Sequence, residues 1–296
     1  MIDLHIHTNN GDGTESVAQI LERAEGLGLE VIAITDHDCV EGYFQLEKMD
    51  ISKLYSGQIL VGCEFTTTFD GYLVEIFGYG FDYKKIKSFL KRAYQNSVQK
   101  RDALLPLLCE KIKKFGLEFD FNNSENLKSY RCVYNELARH SGNLEKVPKG
   151  LLDNFNNFFR LGYYNPQSEF YLDMSKCYPA FSEIVEEIHK AGGQAFLAHV
   201  FEYRFTDTKK MLEKIKKEGK IDGIECYYSN FTENQIEFML SFAKENNLLV
   251  SGGTDYHGAL RPQVKLGSGK GNLNIPKYIL SNWNCKYFNK KELIEV

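Results

Sequence analysis

Residues 179–199 read PAFSEIVEEIHKAGGQAFLAH, and this stretch holds one complete helix-to-strand unit. A helical pattern extends to Lys190, and Ala191-Gly192-Gly193 is a typical helix end. The run 194–199 that follows is a short apolar strand whose last residue is a histidine. This order of helix, glycine stop and buried strand is typical of α/β proteins.

The same alternation extends in both directions along the chain. Helices are predicted over 208–218 and 233–246, and strands over 2–7, 31–34, 58–65, 72–79, 194–199, 222–228 and 248–254. The strands are near-continuous apolar runs, which indicates burial on both faces, as in a parallel sheet. We therefore predict an α/β fold with about seven strands in a parallel sheet or barrel.

The pattern changes between residues 84 and 178. Residues 84–118 are rich in lysine and carry an apolar helical stripe, which Pro106 is expected to kink or split. Residues 119–178 show no clear strand signal. We predict a mostly helical insertion over 84–178, which divides the barrel into residues 1–83 and 179–296.

Composition excludes several classes of protein. The chain has 296 residues, of which 43% are hydrophobic and 26% charged, enough to form a large core. A net charge of −4 argues against a broad basic face that binds duplex nucleic acid. No apolar run approaches the roughly 18 residues of a membrane span, and the N-terminus lacks the features of a secretory signal. Seven cysteines, an odd number without a CxxC pair, indicate reduced thiols and a cytoplasmic location.

Five of the seven histidines follow or end a predicted strand. They are His5, His7, His37, His199 and His257. In α/β barrels the carboxyl ends of the strands build the active site, so these residues should converge. Because strand residues two apart point the same way, His5 and His7 could bind one metal ion. A chance occurrence of the His-x-His pattern is the alternative.

Acidic residues accompany these histidines. Glu64 ends an apolar strand and indicates a ligand or a base, because glutamate is rarely buried unpaired. Asp255 should present an oxygen beside His257. Asp12, between two glycines, is either a ligand or a turn residue. Glu75, within the apolar run YLVEIFGY, is either a ligand or a surface residue of an edge strand.

Other acids could support the ligands without binding metal. Asp36 or Asp38 could orient His37, which lies between them. Glu225, in the run GIECYY, is either an acid behind the ligands or a buried hydrogen-bonding residue, and we favour the second.

Together the histidines and acids give nine nitrogen and oxygen ligand candidates. The set comprises His5, His7, Asp12, His37, Glu64, Glu75, His199, Asp255 and His257. This number exceeds what one ion needs and fits two or three ions bridged by carboxylates. Mixed nitrogen and oxygen donors favour Zn, Mn or Fe over Ca.

These motifs resemble the PHP family, the "polymerase and histidinol phosphatase" metal-dependent phosphoesterases. The matching segments, in the family's order, are 3–7 with Asp12-Gly13, 34–38, 62–64, 191–193 with 197–199, and 252–258. The resemblance implies a distorted (β/α)7 TIM-like barrel with a two- or three-metal site and hydrolysis of phosphate esters. The resemblance also implies that all nine ligand candidates except Glu75 bind metal. Glu75 stands where many family members have histidine.

The inserted block resembles that of members that act on nucleotides and short oligonucleotides. Where such members often have Arg-Pro-His, this chain has Arg131-Cys132-Val133-Tyr134. Arg131, Arg160 and Arg101 are candidates for binding substrate phosphate, and a solvated surface arginine is the alternative for each. The expected partner is a small phosphorylated substrate.

The expected mechanism is attack on phosphorus by a hydroxide that bridges two ions and is held by Glu64, Asp12 and His199. Histidinol phosphate or another small phosphorylated molecule is the second substrate hypothesis. The alternative outside the enzymes is a pseudo-enzyme that binds metal without catalysis.

Overall fold

The computed structural model describes residues 1–284 and 286–288, and its strands form one sheet in chain order. The strands are β1 (Ile2–Ile6), β2 (Val31–Ile34), β3 (Gln58–Phe69), β4 (Tyr72–Tyr79), β5 (Gln194–Leu197), β6 (Gly223–Tyr228) and β7 (Leu249–Gly253). The segment after β7 returns to β1, where the His7 N–H donates to the Tyr256 carbonyl at 2.9 Å. The sheet is thus nearly closed into a barrel, and the predicted α/β barrel with seven strands is confirmed.

One strand corrects the prediction of a parallel sheet. β4 runs antiparallel to both β3 and β5, whereas the other neighbouring strands pair in parallel. Asp70 and Gly71 join β3 to β4, and both have positive φ angles, 53° and 84°. Asp-Gly is the dipeptide that two-residue hairpins prefer, so the sequence contained this signal. The hairpin places Glu75 opposite Thr66, near the carboxyl end of β3.

Helices surround the sheet and fill the long connection between β4 and β5. Their bounds are α1 (Val17–Gly26), α2 (Glu41–Leu46), α3 (Tyr83–Ala93), α4 (Ser97–Asp102), α5 (Leu105–Phe115), α6 (Tyr130–Arg139), α7 (Asn143–Lys146), α8 (Phe155–Asn157), α9 (Phe181–Lys190), α10 (Thr208–Gly219) and α11 (Glu233–Glu245). A π-helix, Phe158–Tyr163, continues α8. Pro106 lies in the first turn of α5, which explains the break after α4.

The strands bury both faces, as their apolar runs predict. In β2, Ile32 and Ile34 pack in one hydrophobic cluster, whereas Val31 and Ala33 pack in another. This alternation follows from the two-residue period of a strand. The first cluster contains the apolar faces of α1, α9 and α10, so it lies between the sheet and its helices.

A third hydrophobic cluster, the insertion core, packs residues between Leu105 and Cys177 together with Leu73 of β4. Helix α3 does not contribute to it, because Ile86 and Phe89 pack in the cluster of the barrel. The connection therefore starts with a helix of the barrel wall and continues into a separately packed block.

Across residues 1–284 and 286–288, no helix has both the length and the apolar character required to cross a membrane. The six described cysteines are all free thiols. Cys285, the seventh, lies outside the described residues.

Candidate metal centre

Four candidate ligand atoms converge near the carboxyl ends of β1 and β7 and the middle of β3. His5 Nε2 and His7 Nε2 are 3.0 Å apart, and Glu64 Oε2 and Asp255 Oδ1 each lie 3.3 Å from both nitrogens. Zinc ligands at about 2.0–2.2 Å in a tetrahedron are separated by about 3.3 Å. These four residues, the central cluster, therefore have the spacing that a single ion requires.

A second group of ligand atoms, the outer cluster, comprises His7, Asp12, His37 and His257. Asp12 Oδ1 lies 3.4 Å from His7 Nδ1 and 3.3 Å from His257 Nε2. The His7 and His257 rings stack with centroids 4.1 Å apart. His37 Nδ1 is 3.5 Å from Glu64 Oε2, so Glu64 and His7 connect this cluster to the central one.

A third group combines His5, Glu64 and His199. His199 Nε2 lies 2.8 Å from Glu64 Oε1. Glu75 belongs to none of these groups, although its Oε2 lies 4.0 Å from His199 Nδ1. Instead, Arg160 Nη2 lies 3.2 Å from both carboxylate oxygens of Glu75.

The donor atoms fit divalent metal ions. His7 Nδ1, Glu64 Oε2, His199 Nδ1 and His257 Nε2 are buried without a hydrogen-bond partner in the described part of the chain. Buried polar atoms normally have partners, because an unsatisfied one costs about 1–3 kcal/mol. Cations would bind several of these lone pairs at once, and imidazole with carboxylate suits Zn, Mn or Fe.

The charges of the centre stabilise one another. Burial alone would lower the pKa of His7, but its contacts with Asp255 and Glu64 raise that pKa to about 9. Burial opposes ionisation of Glu64, yet His37 and His5 hold the pKa of its carboxyl well below the usual range. The acids are therefore ionised at neutral pH, as metal binding requires.

Glu225 lies behind the ligands and combines both roles considered for it. Its side chain is fully buried, with Oε1 3.1 Å from His5 Nδ1. Its Oε2 accepts a 2.8 Å hydrogen bond from the backbone N–H of His199. Glu225 thus fixes one ligand ring and the strand end of another ligand.

Asp36 and Asp38 do not meet the expectation that one of them orients His37. Asp36 accepts two 2.6 Å hydrogen bonds from the backbone N–H and hydroxyl of Thr8. Asp38 accepts from the backbone N–H of Thr66 at 2.7 Å. Asp36 thus connects the segment after β2 to the segment after β1, and Asp38 connects it to β3.

The centre opens into a cavity of about 640 Å³. Arg131 and Arg160 line it, together with Phe155, Phe159 and Asn156 from the insertion. Arg101 does not line it and contacts Asp102 at 3.2 Å. Two of the three candidate arginines thus line the cavity.

Two further side chains hold Asp255 and were not recognised in the sequence. Tyr228 donates its hydroxyl hydrogen to Asp255 Oδ2 at 2.8 Å, and the Arg261 guanidinium contacts the same oxygen. Arg261 lies in a loop with no periodic pattern, so no local signal marked it. Tyr228 ends a strand close to the candidate ligands, and this position in the sequence indicates a residue of the site.

The chain has relatives of known name. It is 26% identical over 258 residues to the 5'-3' exoribonuclease of Haemophilus influenzae, covering 86% of this chain and 89% of that protein. It is also 26% identical to the phosphoribosyl 1,2-cyclic phosphate 1,2-diphosphodiesterase of Eggerthella lenta, with 86% and 94% covered.

A solved structure has the same fold. A Bifidobacterium adolescentis protein, described as a candidate metal-dependent phosphoesterase, superposes with a TM-score of 0.61. The match covers 90% of this chain and 91% of that one, at 23% identity. The profile described as PHP domain matches residues 3–218, which is more than half of the sequence. The chain belongs to the PHP domain family.

Proposed function

We propose that the chain is a metal-dependent phosphoesterase that hydrolyses phosphate monoesters of nucleotides or short oligonucleotides. The observation that carries this proposal is the central cluster of His5, His7, Glu64 and Asp255, with ligand atoms within 3.3 Å of the histidine nitrogens. It lies beside a cavity that also contains arginines. Phosphate esters are anions, so paired metal and guanidinium charges suit them.

Eight residues would bind the metal ions, which we propose to be Zn, Mn or Fe. They are His5, His7, Asp12, His37, Glu64, His199, Asp255 and His257. Such ions activate water at neutral pH and neutralise charge on the phosphoryl oxygens. Glu64, Asp12 and His199 line the cavity, where they would hold the attacking water. Arg131 and Arg160 would bind phosphate oxygens.

The insertion wall of the cavity favours a nucleotide. Phe155 and Phe159 offer aromatic faces on which a base can stack. Asn154, Asn156 and Asn230 offer amides that can donate to and accept from a base or a ribose. The exoribonuclease relative, which is named for action on RNA, adds support for this substrate class.

The test is phosphate release from a nucleoside 3',5'-bisphosphate and a 5'-phosphorylated short oligoribonucleotide by the Mn-loaded protein. We expect release by the wild-type protein and none by His37→Ala or Asp255→Ala, which should also lose metal. His189→Ala is the matched control, because His189 pairs with Asp222 on the surface. Full activity of His37→Ala would contradict the proposal.

The substrate panel should include a cyclic phosphodiester and histidinol phosphate. The Eggerthella lenta relative is named for a cyclic phosphate, which makes the first of these a relevant comparison. Preference for either over the nucleotides would reassign the substrate. Full metal occupancy without hydrolysis of any of them would indicate a pseudo-enzyme.

A further inference from the structure

Glu75 and Arg160 form a buried ion pair at the edge of the metal centre. Glu75 lies in β4 of the barrel, and Arg160 lies in the π-helix of the inserted block. Their side chains are 6% and 11% exposed, and Arg160 Nη2 is 3.2 Å from both carboxylate oxygens. Both residues line the cavity. The pair therefore connects the insertion to the barrel where the substrate would bind.

The pairing disfavours Glu75 as a metal ligand. No described group of mutually close ligand atoms includes its carboxylate. A divalent ion bonded to Glu75 would lie beside the Arg160 guanidinium. Like charges repel strongly in a buried site, because the surroundings screen them weakly. The guanidinium thus supplies positive charge to Glu75, whose Oε2 lies 4.0 Å from His199 Nδ1, and a further ion bound there would meet this charge.

Arg160 is held as a rigid donor. Its Nη1 donates to the Leu73 carbonyl at 3.3 Å, and its guanidinium carbon lies 4.8 Å and 5.3 Å from the ring centroids of Phe159 and Tyr203. A guanidinium has five N–H donors in a planar fork, and the contacts with Leu73 and Glu75 leave some of them for another acceptor. This fork matches the geometry of a phosphoryl group.

Glu75 is fixed as firmly as its partner. Its backbone N–H donates to the Tyr203 hydroxyl at 2.8 Å, and that hydroxyl donates to the Glu75 carbonyl at 3.2 Å. The carboxylate therefore has a defined position from which it aims the guanidinium. Glu75 is in this sense a positioning residue.

We propose that the centre holds two metal ions, and that Arg160, positioned by Glu75, binds the substrate phosphoryl group in place of a third ion. The identity of the anion rests on the proposed function. The number of bound ions does not depend on turnover. The proposed function and the two-ion proposal can therefore fail separately.

The first test counts metal ions. The full chain is dialysed to equilibrium against Mn²⁺, and bound Mn is measured by mass spectrometry. We expect two ions per chain in the wild-type protein and in Glu75→Gln, because the amide removes only the charge that holds Arg160. A wild-type count other than two would overturn the proposal. So would the loss of one ion in Glu75→Gln, which would make Glu75 a ligand.

The second test measures anion binding without turnover. Calorimetric titration of the Mn-loaded protein with inorganic phosphate should show affinity reduced about 10- to 100-fold in Arg160→Gln, the range for a lost hydrogen bond to a charged group. Arg160→Lys keeps the charge but loses the planar fork. Its phosphate affinity should therefore lie between those of the wild type and Arg160→Gln. Unchanged affinity in Arg160→Gln would overturn the proposal. The exposed Arg92→Ala is the control and should match the wild type.

The third test uses the reaction itself. In Arg160→Gln, KM should rise more than kcat falls, and added guanidinium should partly restore kcat/KM. A misfolded variant would not respond to guanidinium, and its lowered unfolding temperature would identify it. In that case the same kinetic measurements on Arg160→Lys decide the question. Absence of rescue in a folded variant would count against Arg160 as the phosphate donor. If the wild type hydrolyses no phosphoester, the proposed function fails. The ion count and the phosphate affinity still test the roles proposed for Arg160 and Glu75.

Discussion

Glu225 shows how one buried carboxylate can organise a candidate metal ligand. A histidine that binds metal through one nitrogen commonly uses its other N–H to reach a carboxylate, which fixes the ring and its tautomer. Glu225 Oε1, 3.1 Å from His5 Nδ1, has that relation to His5. The second oxygen is occupied by the His199 backbone, so the carboxylate cannot rotate away.

Replacement of Glu225 by glutamine should weaken the centre without emptying it. The amide keeps the shape but loses the negative charge opposite His5, and we expect metal affinity to fall about 10- to 100-fold. Competition with a metal-binding dye would measure the change. Glu237→Gln, at an exposed position of α11, is the control. Equal affinity of Glu225→Gln and wild type would refute the role.

The raised pKa of His7 predicts how metal-free protein responds to pH. Its pKa is about 9 in the folded chain and about 6.5 in the unfolded chain. Protonation of His7 therefore stabilises the folded state by its full amount, on the order of 3 kcal/mol, below pH 6.5. This contribution is lost as pH rises through 9. Unfolding temperatures of chelator-treated protein should fall over that interval. A rise would contradict the assignment of His7 as protonated.

At the scale of single residues, the sequence marked the ligand candidates, which stay predictions, but not the side chains that contact them. The histidines and acids occur within or shortly after apolar strands, where buried polar residues are uncommon. The contacts of Arg261 with Asp255 and of Arg160 with Glu75 depend on how loops and an inserted helix fold back. Such contacts are set by tertiary packing, which local patterns do not encode.

At the scale of elements, β7 approaches β1 so closely that only glycine fits at position 253. A Cβ on Gly253 would lie 2.2 Å from His5 Cβ and 2.3 Å from His5 N, inside van der Waals contact. Gly253 thus lets the last strand reach the backbone that carries a ligand.

The Gly253→Ala variant should therefore damage the metal centre. The added methyl group meets backbone atoms of His5 and must displace β1, so we expect strongly reduced metal binding and a lower unfolding temperature. Gly26→Ala is the matched control, because no atom lies within 4 Å of the Cβ that would be added there. Wild-type metal content in Gly253→Ala would show that β1 tolerates the shift.

The existence of the strands followed from apolar runs in the sequence, but the direction of β4 did not. An apolar run buried on both faces looks the same in a parallel and an antiparallel strand. The deciding signal was the turn Asp70-Gly71 rather than the strand itself. Direction matters for the site, because it places Glu75 opposite Thr66.

At the scale of the whole molecule, the proposed metal ions would join strands that are distant along the chain. The candidate ligands extend from His5 to His257 and lie within or shortly after β1, β2, β3, β5 and β7. Ions bound only in the folded state stabilise that state by mass action.

Metal removal should accordingly lower the unfolding temperature. At a free ion concentration 100 times Kd, one site adds about 2.7 kcal/mol, which corresponds to a shift of about 5 °C or more. Calorimetry with and without a chelator measures this shift. His257→Ala should show a smaller shift than the wild type. Identical unfolding temperatures with and without chelator would argue against any ion that binds only the folded protein.

The return of the last strand to the first also has a consequence during protein synthesis. Asp255 belongs to the central cluster with His5, yet about 250 residues separate them in the order of translation. A nascent chain therefore carries His5, His7 and Glu64 long before it can complete their coordination. If these residues bind metal as proposed, their full ligand set becomes available only after the ribosome has released the segment that follows β7.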